Sequence, residues 1–77
     1  MYNLSPDENV DKFLETLSTL IEDTDRLILE TYDAYILANR EHNPTGLAFK
    51  KANHLYYGFY FQLISIRGQI NKLYNLQ

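Results

Sequence analysis

Apolar positions recur at alternating steps of three and four along two stretches of this chain. The first runs Val10, Phe13, Leu17, Leu20, Thr24, Leu27, Thr31, Ala34, Ala38, with two threonines keeping the phase, and the second runs Phe49, Ala52, Tyr56, Phe59, Leu63, Ile66, Ile70, Leu73. Spacing close to 3.5 residues keeps side chains on one face of a helix, which a strand's two-residue period cannot do. Between the stripes lies Asn43-Pro44-Thr45-Gly46, a turn-forming run. The pattern predicts an all-α fold: one antiparallel helical hairpin over residues 1–77, with a helix over about 6–41, a turn at 42–46 and a helix over about 46–75.

Ser5-Pro6-Asp7-Glu8 has the chemistry of a helix start, with Ser5 to cap, Pro6 at the first helical position and two acids at the positive end of the dipole. A break is conceivable at Glu22-Asp23-Thr24-Asp25, but the stripe keeps phase there and Glu22 precedes Arg26 by one turn, so a continuous helix is expected. Gly58 and Gly68 fall inside the second helix, where each costs about 1 kcal/mol relative to alanine. Close approach of a neighbouring helix is the expected reason for both.

Folding back about the middle of the turn pairs positions whose numbers sum to about 88. Leu17 then meets Ile70, and Ala34 and Ala38 meet Phe49, Ala52, Tyr56 and Phe59. The same register sets Glu22 beside Arg67 and Glu15 beside Lys72, pairs worth about 0 to 1 kcal/mol each.

The apolar surface is wider than one seam requires. Leu14, Ile21, Ile28 and Tyr35 form a second column beside the first, and toward the turn the excess spreads round both helices. Two helices cannot enclose such a surface, which points to a homodimer in which two hairpins make a four-helix bundle, or to a protein partner. The interaction surface expected from this excess comprises Leu29, Tyr32, Tyr35, Ile36, Leu47, Tyr57, Tyr60 and Phe61. Tyrosine suits such a role, because its ring buries area while the hydroxyl stays hydrated.

Composition narrows the chemistry. There is no cysteine, so disulfides, thiol catalysis and Cys-based zinc sites are excluded. The net charge of −3 divides unevenly: residues 1–33 hold nine acids against Lys12 and Arg26, while residues 34–77 hold five bases against Glu41 alone. That asymmetry favours antiparallel pairing of the two helices. His42 and His54, with Glu41, are the nearest approach to a metal site, but no His pair at four-residue spacing and no Glu-x-x-His exists, so no metal and no cofactor are expected. Leu20 to Ile28 resembles the opening helix of the all-helical chorismate mutase family. That family's site needs several inward-pointing arginines, whereas Arg26, Arg40 and Arg67 are the only ones here and none falls on the stripes, so no residues are carried over. Gln62-Leu63-Ile64-Ser65-Ile66 is similar to the peptides that dock in extended form on bacterial sliding clamps, but the stripe assigns Leu63 and Ile66 to a helix.

Lys50, Lys51, Asn53, His54, Tyr57, Arg67 and Lys72 spread along the second helix and carry an alternative reading, a nucleic-acid-associated regulator; an acidic chain opposes it. No signal-peptide pattern is present and no apolar run reaches the roughly 20 residues of a spanning helix, so a cytoplasmic protein is expected. No catalytic constellation is found. The expectation is a non-enzymatic protein-interaction module, a small bacterial or phage accessory factor of inhibitor or immunity type.

Overall fold

A computed structural model of the chain describes residues 8–74. Helix α1 covers Glu8–Arg40 and helix α2 covers Gly46–Leu73, and the two pack antiparallel. The capping run Ser5 to Asp7 and the expected end near Asn75 lie outside the described residues. The acidic run at 22–25 does not interrupt α1. Within it, Thr24 turns its hydroxyl onto the Leu20 carbonyl at 2.7 Å, so a residue suited to cap a new helix is absorbed into α1 instead. The hairpin measures 57 × 21 × 15 Å, one helix thick.

The turn is tighter than the breaker implies, because both helices use its residues as caps. The Asn43 amide donates to the Ala38 carbonyl at 2.8 Å and the His42 amide to that of Asn39 at 3.2 Å, the two bonds of a Schellman ending. Its left-handed position, usually glycine, is His42 at φ 55°. Asn43 then opens the next turn, its side-chain oxygen accepting from the amide and the hydroxyl of Thr45 at 3.0 and 2.9 Å. Asn43-Pro44-Thr45-Gly46 is therefore less a connecting loop than the capped entrance to α2. Gly46 has an ordinary negative φ; what it supplies is space, since a Cβ there would stand 3.3 Å from the Ala38 Cβ.

This closure sets the register one helical turn away from the expected one. Ala38 faces Gly46, and the Asn53 amide nitrogen donates to the Thr31 hydroxyl at 3.1 Å, so facing positions sum to about 84 rather than 88. Glu22–Arg67 and Glu15–Lys72 accordingly do not pair. Among the described residues the ion pairs are local to α1: Glu8–Lys12 at 3.3 Å, Asp23–Arg26 at 3.1 Å and Arg26–Glu30 at 3.9 Å.

Each helix is also rotated by half a stripe. In α1 the column Leu17, Thr24, Thr31, Ala38 lies in the seam as expected, but its companion is Leu14, Ile21, Ile28, Tyr35, while Phe13 and Leu20 stand exposed. In α2 the column Tyr56, Leu63, Ile70 is joined by Gly46, Asn53, Tyr60 and Arg67, leaving Phe59, Ile66 and Leu73 exposed, and Phe49, at the turn end of the column, is exposed as well. The core is correspondingly small. Leu17, Ile21 and Leu63 form its centre, with Tyr60, Ile64 and Ile70 packed against them, and among the described residues no large side chain is wholly buried. A Cβ added at Gly58 or Gly68 would meet nothing within 4 Å, so neither glycine serves close packing inside the hairpin.

Candidate interaction surface

Rotation of the helices divides the exposed apolar residues between the two flanks of the seam. Phe13, Leu20, Leu27 and Ala34 run along one edge of α1, seven residues apart. Ala52, Phe59, Ile66 and Leu73 run along one edge of α2 at the same spacing. For an antiparallel pair in this register, helical geometry sets both edges on the same flank. Their far ends meet at an open cleft of about 360 Å³ lined by Asn9, Val10, Phe13, Ile70, Leu73 and Tyr74. This first flank carries no ionisable side chain in either column, from Phe13 to Ala34 and from Ala52 to Leu73.

On the other flank the character changes along its length. Away from the turn α1 presents Asp11, Ser18 and Asp25; toward the turn it presents Tyr32, flanked by Leu29 and Ile36. Opposite them on α2, Tyr57 stacks on Phe61 with ring centroids 6.4 Å apart, and Tyr60 meets Phe61 edge-on at 5.8 Å. Lys50 lies over the Tyr35 ring, its ammonium 5.9 Å from the centroid, a cation–π contact that ties the helices together beside the turn.

The eight residues expected to form the interaction surface thus have two kinds of environment. Leu29, Tyr32, Leu47, Tyr57 and Phe61 are exposed, Leu29 and Phe61 to more than 60%. Ile36 is half-buried, and Tyr35 and Tyr60 occupy seam positions; Tyr60 packs on the central cluster. The extended apolar column from Phe13 to Ala34 has the spacing of a seam, which conceals its place on the surface.

Residues singled out for other chemistry are scattered. Asn53 faces the seam, not solvent: its amide nitrogen donates to the Ile28 carbonyl at 2.8 Å as well as to Thr31. Arg67, expected off the stripes, is half-buried at a seam position. These placements remove two members from the basic, polar face on which a nucleic-acid reading rests. His42 is committed to the turn by its backbone, and among the described residues no group of three or more His, Asp or Glu side chains is arranged to hold a metal ion. Among the same residues no helix is long and apolar enough to cross a membrane. No family model matches the chain, and neither the curated proteins nor the solved structures contain a match to it.

Proposed function

We propose that this chain is a non-enzymatic protein-interaction module that acts as a homodimer of hairpins, a four-helix bundle that binds a macromolecular partner in the manner of a small inhibitor or accessory factor. One observation carries the reading: among the described residues a layer 15 Å thick buries only the apolar side chains of Leu17, Ile21, Ile28, Ala38 and Leu63, while both of its flanks expose large ones. A chain of this size with so small a core gains stability by covering the rest against another chain. The polar groups of the seam are engaged in holding register, and what remains outside is area for contact.

Sedimentation equilibrium from about 1 to 100 μM tests the assembly; a dimer is expected and a monomer throughout overturns it. Partner binding is tested by affinity capture with wild type and with Tyr57→Asp and Phe61→Asp, both at exposed positions. A defined partner recovered by wild type and lost from both variants supports the module. Equal recovery by all three overturns this placement of its working face. An electrophoretic shift that weakens steeply with salt would instead favour the nucleic-acid reading.

A further inference from the structure

The uncharged flank has a feature that selects its occupant. Its eight residues form four tiers: Phe13 with Leu73, Leu20 with Ile66, Leu27 with Phe59, and Ala34 with Ala52. Three tiers each pair two large side chains, with Phe13 and Leu73 at the open end of the hairpin, and the fourth, nearest the turn, holds only two alanines. Packed layers interdigitate when large positions face small ones. Reversed end for end, such a surface sets the large tier at its open end on the alanine tier near its turn, and its two middle tiers on each other.

We infer that this flank is the self-association face, and that the second copy lies on it with its turn at the opposite end, so that Phe13 and Leu73 of each copy cover Ala34 and Ala52 of the other. This rests on the dimer reading above and specifies its geometry. The tiers extend over about 32 Å of helix, on a layer 21 Å wide, an area of about 700 Å² per copy and close to what a stable pair of proteins buries. The alternative with both turns at one end stacks four alanines at one level, which no large side chain then fills.

Reversal brings α1 of one copy beside α1 of the other, against the preference expected from charge asymmetry between the helices. The cost is limited by where the acids point. Of the eight in the described part of α1, only Asp23 and Glu30 border this flank, and Arg26 is paired with both. The bordering column of α2 is Ala48, Leu55, Gln62 and Gln69, without charge. Asp23 and Gln62 both fall at mid-length, so each sits beside its own counterpart across the two-fold axis.

The chain has no native cysteine, so single introduced thiols report this geometry directly. With a short bismaleimide linker, Asp23→Cys alone and Gln62→Cys alone are each expected to give covalent dimers. Cross-linking only when Asp23→Cys and Gln62→Cys chains are mixed would overturn the orientation, since that outcome requires α1 to lie over the second copy's α2. Leu20→Lys and Phe59→Lys, both at exposed positions, are expected to raise the dimer dissociation constant at least 100-fold with helical circular dichroism retained, while Phe61→Lys leaves it within threefold. Loss of the dimer with Phe61→Lys but not with Leu20→Lys or Phe59→Lys would overturn this face while leaving a homodimer standing. A wild-type monomer at 100 μM would overturn both.

Discussion

The two flanks of the seam are built from the same two helices and differ in how charge is distributed along them. One is apolar from end to end, small only at the alanine tier near the turn, with ionisable groups only at its border. The other begins with Asp11 and Asp25 and ends in Tyr32, Tyr57 and Phe61 beside the turn. A long uncharged flank favours a contact that covers it whole, and the acids at the open end of the other set that end apart from its aromatic end, where Lys50 is held over the Tyr35 ring. In a dimer with opposed turns those aromatic ends point outward at the two extremities, giving a bundle with two equivalent sites. The comparison depends on the rotation of each helix, so the most direct way to break it is to perturb what fixes that rotation.

The largest effect is expected in the seam. Leu17→Ala and Leu63→Ala each remove a nearly fully buried side chain from the three-residue centre of the core, and each should cost about 2–5 kcal/mol, measured by urea unfolding. Phe13→Ala, measured under conditions where the chain is monomeric, should cost less than about 1 kcal/mol, because its ring is half in solvent. Equal losses at Leu17 and Phe13 would mean that the helices are rotated back to the stripe that spacing alone predicts, and the distinction between flanks would disappear.

Next comes the polar link that holds the register. Asn53→Ala removes two hydrogen bonds across the seam and should cost about 1–2 kcal/mol, again by urea unfolding. A polar residue at a seam position characteristically trades stability for a unique alignment. Asn53→Leu should therefore recover much of the stability while broadening amide resonances in a two-dimensional NMR spectrum, as alternative alignments one turn apart become populated.

How much of this is legible in the chain follows from these same residues. The hairpin, the unbroken α1 and the start of α2 at Gly46 can be read from period and punctuation, because both are local properties of the chain. Rotation cannot. Phe13, Leu20 and Leu27 are as apolar as Leu14, Ile21 and Ile28, so hydrophobicity alone cannot say which column turns inward. In α2 the inward column contains Asn53 and Arg67, which disguise it as surface. The register is hidden because the breaker reads as a loop, whereas Asn43 holds Thr45, the N-cap of α2, and His42 closes α1, moving the centre of the hairpin by two residues. The candidate flank is present in the pattern as half of each stripe, where it reads as seam, while the column that reads as excess width, Leu14, Ile21, Ile28 and Tyr35, is the one that turns inward.

Glycines give a smaller effect that also separates inside from outside. Gly58→Ala and Gly68→Ala should each raise stability by about 0.5–1 kcal/mol, since nothing stands near either position. Gly46→Val should lower it by about 1–3 kcal/mol, because the Ala38 Cβ is fixed to a helix backbone and cannot retreat without parting the helices beside the turn. Thermal melts of the three variants compare them on one scale. A loss at Gly58 or Gly68 would show that a second chain packs on the outer side of α2, and the dimer contact would then have to be moved from the uncharged flank.

The smallest effect concerns His42, whose left-handed backbone fixes the register on which both flanks depend. An L-residue there carries about 1–2 kcal/mol of steric cost, which glycine avoids, while glycine's greater freedom in the unfolded chain returns part of the gain. His42→Gly should therefore stabilise by about 0.5 kcal/mol. His42→Ala keeps the Cβ and the steric cost, so it separates backbone relief from any contribution of the imidazole; it should leave the melting temperature where the wild type has it. If alanine stabilised as much as glycine, the imidazole itself would be the unfavourable group and the Schellman ending would be held by its two backbone bonds without strain. If both variants destabilised, the ring would be holding the turn, and the register would then depend on a side chain that no feature of the hydrophobic pattern singles out.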